Sequence, residues 1–240
     1  SKNNEEDNII ENDNEILTVS KKKISKSKIN IIDDNETKEE IIITKEYKQG
    51  DITSGKNLII VEIAKRYVVN FLNSEIELLK KGNTLKILAV EINNTVVIDI
   101  PELDFPIKLT GKVDRVDELN GVTRIIDYKS GKVEQGNMEI VDWDLLNTNY
   151  KKYSKSFQVL CYAYMMKKQN LINLPVEAGI ISFKNLKNGF LKFSEKESTH
   201  SRNKNQQITE ETLQNFEKQL KSIIIEICNP DKNFKEKELD

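Results

Sequence analysis

The sequence is poor in the residues from which disulfide-bonded, zinc-binding and membrane proteins are built. It has two cysteines, Cys161 and Cys228, and both lie in apolar helical patterns, so we expect buried thiols rather than a disulfide or a zinc site. No run of 18 apolar residues is present, which argues against a transmembrane helix. The polar first residues do not resemble a signal peptide. The sequence therefore predicts a cytoplasmic protein without a membrane segment.

The chain also has no excess of positive charge. Its net charge is −2, which argues against a basic coat over the whole surface, although a local basic groove is compatible with it. Apolar residues make up 38% and charged residues 32% of the chain. Globular domains usually have about 45–50% and about 25% respectively. We therefore expect a folded core together with a solvated tail.

The tail is predicted at the N-terminus. Residues 1–14 are nearly all Asn, Glu, Asp and Lys, a composition that cannot bury enough apolar area to fold alone. Short β-prone runs separated by charged stretches follow, so residues 1–55 are predicted as a polar extension, partly disordered or with short strands. Residues 56–240 are predicted as the folded domain. Because the chain begins with serine, we expect it to be an excerpt of a longer protein.

The hydrophobic pattern of residues 56–240 predicts helices and strands in a mixed order. Helical spacing of apolar residues predicts a helix from residue 57 that ends at Gly82-Asn83, a second helix at about 153–169, and a third that Thr209 caps. Strands are predicted at residues 85–92, 95–100, 107–116, 122–128, 176–183 and 190–193, with turns at Asn93-Asn94 and Asn120-Gly121. This order predicts an α/β or α+β chain with a mixed sheet flanked by helices.

Asp127 and Lys129 are the first candidates for chemistry. They are two residues apart in a predicted strand, so their side chains point to the same face of the sheet. A surface ion pair, which contributes only about 0–1 kcal/mol, is one interpretation. However, this is the most apolar strand of the domain, and polar groups in such a strand need partners. We therefore consider a functional site.

Asp114 supplies a second carboxylate from the neighbouring strand. The short hairpin at Asn120-Gly121 allows Asp114 to approach Asp127 across the ladder. Two carboxylates that lie close together repel each other unless a proton or a cation separates them, and Mg²⁺ takes such oxygen ligands. Glu91 is either an exposed residue at a strand end or a further metal ligand. Lys129 would then orient a water or stabilise charge, which indicates phosphodiester hydrolysis.

These residues belong to a series of motifs that resembles a known family. The series resembles the RecB-like branch of the PD-(D/E)XK nuclease superfamily, and in particular the C-terminal nuclease domain of AddB-type helicase–nuclease subunits. The resemblance covers roughly residues 56–240 and is sharpest between residues 91 and 162. The motifs are Glu91, Gly111-Lys112-Val113-Asp114-Arg115-Val116-Asp117, Asp127-Tyr128-Lys129-Ser130-Gly131, and Gln158 with Tyr162.

The resemblance implies an α/β fold with a restriction-endonuclease-like core, a mixed central β-sheet flanked by helices, and Mg²⁺- or Mn²⁺-dependent cleavage of DNA. It implies a role in DNA repair or recombination as an exonuclease, with DNA and a helicase domain or subunit as partners. Gln158 and Tyr162, which share a helix face at i and i+4, would support the site and contact phosphate, although Tyr162 alone equally fits core packing. The implied metal ligands are Glu91, Asp114, Asp127 and the Tyr128 carbonyl, and the implied catalytic residues are Asp114, Asp127, Lys129, Gln158 and Tyr162.

The chain departs from many relatives in one respect. They hold an iron–sulfur cluster with one cysteine before the domain and a Cys-x-x-Cys group after the last helix, and neither is present here. An iron–sulfur cluster is therefore not supported within this chain. Either this member has no cluster, or the chain was cut before that tail, and we expect the latter.

Basic residues near the motifs predict a path for the DNA backbone, although charged surface is common and each residue alone is weak evidence. The alternatives to a nuclease are a catalytically inactive DNA-binding or scaffold domain, and an unrelated interaction module. An inactive domain has no chemical need for Asp114, Asp127 and Lys129 together. The basic candidates are Lys112, Lys132, Lys151, Lys152 and Lys155.

Overall fold

A computed structural model describes residues 54–234 of the chain. The predicted N-terminal extension therefore lies almost wholly outside the described residues. None of the helices within them has the length and apolar content required to cross a membrane. The elements in chain order are α1 (Gly55–Lys80), β1 (Leu85–Ile98), β2 (Ile107–Leu119), β3 (Val122–Lys129), β4 (Glu139–Ile140), α2 (Tyr150–Lys168), β5 (Glu177–Ser182), β6 (Phe190–Lys192), β7 (Ser194–Glu195) and α3 (Glu210–Cys228).

The chain divides into two compact units, residues 1–68 and residues 69–240, and the boundary falls within α1. In the first unit the structure describes residues 54–68, which are helical from Gly55. Lys65 and Glu62 form an ion pair there at 3.3 Å. The second unit carries every strand described above, together with α2 and α3.

The central sheet is mixed, as the sequence predicts. Its five strands are ordered β1-β2-β3-β5-β6, and every neighbouring pair is antiparallel except β3 and β5, which are parallel. A parallel pair needs a long crossover, and α2 provides it between β3 and β5. The fold is therefore α/β with a mixed central sheet flanked by helices. The predicted helices and the strands β3, β5 and β6 are confirmed, with ends displaced by a few residues.

The predicted hairpin at Asn120-Gly121 joins β2 to β3. Asn120 has φ 51° and Gly121 has φ 83°, and two-residue hairpin loops of this kind need positive φ at both positions. Asn120 also ties the turn to the chain before β1, since its Oδ1 accepts a 2.8 Å bond from the Thr84 amide and its Nδ2 donates to Asn83 Oδ1 at 2.8 Å. This turn places the strand of Asp114 beside that of Asp127.

The predicted turn at Asn93-Asn94 is wrong. Residues 85–98 form one strand, in which Asn93 pairs with Lys112 and the buried Asn94 pairs with Gly111. Strand β1 pairs with the long antiparallel strand β2 on both sides of these residues. This cross-strand pairing overrides the local preference of asparagine for turns. Glu91 consequently lies inside β1 with φ 55°, and not at a strand end as predicted.

The hydrophobic core lies between the sheet and α2. Val116, Ile125 and Ile180 from three adjacent strands are buried in one cluster with Val159 and Ala163 of α2. Full burial of a Val or Ile side chain stabilises a fold by about 1.5–3 kcal/mol. The cluster fixes α2, and with it the helix face that carries Gln158 and Tyr162.

Helix α3 packs on α2. The Phe157 and Phe216 rings meet edge to face at 5.2 Å, and Tyr164 donates a 3.0 Å hydrogen bond to Glu217 Oε1. Thr209 caps α3 as predicted, with its side chain accepting from the Thr212 amide. Helix α2 therefore packs against the sheet on one side and against α3 on the other.

Candidate active site

Asp127 and Lys129 lie at the end of β3 and face α2. The Asp127 side chain is 4% exposed, and its Oδ2 forms an ion pair with Lys129 Nζ at 2.8 Å. Its Oδ1 accepts a 3.1 Å hydrogen bond from Gln158 Nε2 on α2. Lys129 is 32% exposed and stands at the rim of the site. The strand alternation that placed both side chains on one face is confirmed.

Asp114 joins this site where the β2–β3 ladder stops. The last pair toward this end of the ladder is Arg115 with Ile126. Beyond it the Tyr128 amide donates a 2.7 Å hydrogen bond to Asp114 Oδ2. The carboxylate thereby satisfies a backbone N–H that would otherwise need a strand carbonyl. This bond fixes the Asp114 carboxylate beside Asp127.

The electrostatics of Asp127 favour a bound cation. Burial raises the pKa of Asp127 above its ordinary range, the nearby Lys129 opposes the shift, and Asp114 adds to the rise. Asp127 Oδ2 is fully buried, and the ammonium of Lys129 lies 2.8 Å from it. A buried carboxylate oxygen that feels a second carboxylate is a suitable ligand for a hard cation.

Gln158 and Tyr162 lie one turn apart on α2 and support Asp127. Gln158 Nε2 lies 2.7 Å from the Tyr162 hydroxyl and also donates to Asp127. Burial raises the pKa of Tyr162, so its hydroxyl is neutral near pH 7. The Tyr162 ring packs over Gly111, where an added Cβ would lie 3.4 Å from Tyr162 Cε1 and 2.7 Å from Met165 Cε. Tyr162 is thus a core residue whose hydroxyl reaches the site.

Glu91 lies opposite Asp114 in the register of β1 and β2, but its carboxylate is committed elsewhere. It is 67% exposed and forms an ion pair with Lys112 Nζ at 3.1 Å. Between residues 54 and 234, no group of three or more His, Cys, Asp or Glu side chains is arranged to hold a metal. A metal ligand at Glu91 therefore stays a prediction.

The remaining oxygen donors fit a magnesium-type ion. Asp114 and Asp127 supply two carboxylates that interact electrostatically, and the Tyr128 carbonyl belongs to the residue that follows Asp127 in the chain. Mg²⁺ is commonly bound through one or two carboxylates while it keeps several waters. Two carboxylates thus match its needs without a third.

Two of the predicted basic residues lie on the same face of α2 as Gln158 and Tyr162. Lys151 and Lys155 precede Gln158 and Tyr162 on α2 at spacings that place all four within about 60° of one helix face. Of the other predicted basic residues, Lys132 pairs with Glu134, Lys152 lies over the Tyr153 ring at 4.8 Å, and Lys112 pairs with Glu91.

Some contributing residues were not identified from the sequence. Ser182, at the end of β5, donates a 2.7 Å bond to the Gly131 carbonyl, and Asn185 Nδ2 donates to the Val133 carbonyl at 2.7 Å. Both hold the loop that follows Lys129. Ser182 could have been identified, because a serine at the end of an apolar strand indicates a hydrogen bond to a neighbouring loop. Glu75 of α1, which pairs with Arg115 at 2.7 Å, has no local signal.

Comparison with known proteins identifies one family. The sequence model of the PD-(D/E)XK nuclease superfamily matches residues 31–238, which include every residue of the site. The match begins within the predicted N-terminal extension. A search of curated proteins returned no match.

Proposed function

Because the chain belongs to the PD-(D/E)XK nuclease superfamily, we propose that it is a Mg²⁺- or Mn²⁺-dependent deoxyribonuclease centred on Asp114, Asp127 and Lys129. The observation that carries the proposal is the buried Asp127 carboxylate, which contacts Lys129 and Gln158 and interacts electrostatically with Asp114. An inactive scaffold with the same fold gains nothing from a buried carboxylate whose charged form the fold disfavours.

Each residue of the site would have a separate task in phosphodiester hydrolysis. Asp114, Asp127 and the Tyr128 carbonyl would hold the metal ion, which when bound neutralises charge on the scissile phosphate and lowers the pKa of water. Gln158 fixes the Asp127 carboxylate by donating to Oδ1. Lys129 presents its ammonium at the rim, where it would orient the attacking water or stabilise charge that develops on the phosphate.

The finer assignment, an exonuclease domain of a helicase–nuclease that acts in DNA repair or recombination, is also part of this proposal. Its support is the order of the motifs from Glu91 to Tyr162. A helicase domain or subunit would deliver DNA ends to the site.

The proposal is tested by cleavage of linear double-stranded and single-stranded DNA with Mg²⁺, Mn²⁺ or EDTA. We expect cleavage with either metal and none with EDTA, and the preferred substrate will show which strand form the site accepts. Cleavage that persists in EDTA would contradict a metal-dependent reaction. Absence of cleavage under every condition, together with DNA binding, would favour an inactive DNA-binding domain instead.

Lys151 and Lys155 are expected to bind the DNA backbone ahead of the site. Along a helix they lie about 6 Å apart, and they continue the face of Gln158 toward the N-terminus of α2. We expect the Lys151→Ala/Lys155→Ala variant to make the negative slope of log K against log salt less steep by about 2, because each phosphate contact contributes nearly one counterion. DNA binding measured at several salt concentrations checks this.

A matched variant removes the same charge from another helix. Lys218→Ala/Lys221→Ala changes two lysines of α3, and Lys221 pairs only with Glu217 of the same helix among the described residues. It should leave the slope unchanged. Equal slopes for both variants and the wild-type protein would remove Lys151 and Lys155 from the interface.

A further inference from the structure

A cluster of buried charges lies on the face of the sheet opposite the proposed site. Strand alternation directs Asp114 to one face of β2 and Arg115 to the other. The Arg115 side chain is 4% exposed, and its Nη2 lies 2.7 Å from both Glu75 Oε1 of α1 and Asp117 Oδ2. Asp117 also accepts two bonds from Arg124, at 2.7 and 2.8 Å. Arg115 is therefore firmly held, and the proposed reaction uses none of these side chains.

Tyr128 connects this cluster to the site. Its hydroxyl accepts a 3.2 Å hydrogen bond from Arg115 Nη1. Its ring packs edge to face with Phe71 at 5.4 Å and stacks on Phe183 at 5.5 Å. Two of its neighbours in the chain, Asp127 and Lys129, face the other way into the site. A ring held on three sides leaves the backbone between Asp127 and Lys129 little freedom.

The Asp114 carboxylate is held in place by its hydrogen bond to Tyr128. Backbone pairing of β2 and β3 stops at Arg115 and Ile126. Where the ladder ends, two consecutive residues of β2 bind Tyr128: Asp114 Oδ2 accepts a hydrogen bond from the Tyr128 amide, and Arg115 Nη1 donates one to the Tyr128 hydroxyl. These two bonds replace the missing ladder, one on each face of the sheet.

We propose that Tyr128 and Arg115 are positioning residues, which hold Asp114 and Asp127 at the spacing that the metal requires, with Glu75 of α1 as their anchor. This inference rests on the proposed function. Both side chains lie on the face of the sheet opposite the proposed site, and only the backbone carbonyl of Tyr128 is a candidate ligand. We call the pair the Arg115–Tyr128 clamp.

The clamp is tested with Tyr128→Phe, which removes the hydroxyl but keeps the ring stack and the backbone carbonyl. Removing a group that orients metal ligands costs about 10–100-fold in metal affinity. We therefore expect Mn²⁺ titration of the full chain by calorimetry to show a weakening in that range. In cleavage assays the metal concentration at half-maximal rate should rise by the same factor, while kcat at saturating Mn²⁺ stays close to wild type.

Tyr164→Phe is the matched control. It also removes the hydroxyl of a buried tyrosine that bonds a charged partner, Glu217, but in the α2–α3 contact. It should leave Mn²⁺ affinity unchanged, and thermal melts of both variants report on folding. Arg115→Lys keeps a cation for Glu75 and Asp117 but lacks the second guanidinium nitrogen that reaches Tyr128, so it should reproduce Tyr128→Phe.

Two results would overturn the inference, and they are distinguishable. If the wild-type protein binds Mn²⁺ and both Tyr128→Phe and Arg115→Lys bind it equally well, the clamp has no positioning role, although the proposed function stands. If the wild-type protein neither binds Mn²⁺ nor cleaves DNA, the proposed function fails and the clamp fails with it.

Discussion

Lys129→Ala is expected to leave a folded protein that binds Mn²⁺ and DNA but cleaves DNA about a hundred- to a thousandfold more slowly. Loss of one group that stabilises transition-state charge in a preorganised site typically costs this much in kcat. The Lys129 side chain is 32% exposed and no described backbone group bonds to it, so its loss opens no cavity in the core. Single-turnover cleavage of linear DNA at saturating Mn²⁺ measures the loss.

Lys192→Ala provides the comparison. Lys192 is also 32% exposed and also pairs with a carboxylate, Glu177 Oε1 at 2.6 Å, but it does so on the β5–β6 pair. This variant should cleave at the wild-type rate. If Lys129→Ala did so too, the catalytic assignment of Lys129 would be wrong.

Asp127→Asn is expected to abolish metal binding and yet to stabilise the metal-free protein. The pKa of Asp127 is raised in the folded state, chiefly because burial disfavours its charged form. A raised carboxyl pKa favours folding only while the group is protonated, and that contribution is lost as the pH rises through the folded-state pKa. Asp127 therefore destabilises the wild-type fold at any pH at which it is ionised, and asparagine relieves this. Each kcal/mol relieved should raise Tm by about 2–4 °C.

Thermal melts in EDTA between about pH 4 and pH 8 test the sign of this effect. The Tm advantage of Asp127→Asn should be largest at the upper end of this pH range and shrink on acidification, and calorimetry should show that Mn²⁺ no longer binds. Asp117→Asn makes the same change in a buried carboxylate that two arginines hold, so it should destabilise the fold by about 3–5 kcal/mol. A lower Tm for Asp127→Asn at every pH would contradict the prediction.

The parts of the site that the sequence predicts depend on local geometry. The two-residue period of a strand puts Asp127 and Lys129 on one face, and the four-residue spacing on a helix does the same for Gln158 and Tyr162. The Asn-Gly turn then brings the strand of Asp114 alongside. Each of these rules acts over a few residues, so the sequence alone contains the information.

The parts that could not be predicted depend on contacts between distant residues. Asn93-Asn94 has the composition of a turn, but pairing with Lys112 and Gly111 makes it part of a strand and moves Glu91 away from a strand end. Glu75 pairs with Arg115 only because the second part of α1 lies over the sheet. No periodicity or spacing in the sequence records which helix will cover which face.

The bond between Asp114 and the Tyr128 amide has an evolutionary consequence. Because a main-chain N–H depends on it, position 114 must keep a hydrogen-bond acceptor whether or not the protein cleaves anything. Lys129 bonds to no main-chain group among the residues that the structure describes. In a lineage that abandoned cleavage, Lys129 would be free to drift while position 114 remained Asp or changed to Asn. Descendants that had lost activity would therefore be recognised by the lysine they lack and not by the acceptor they keep.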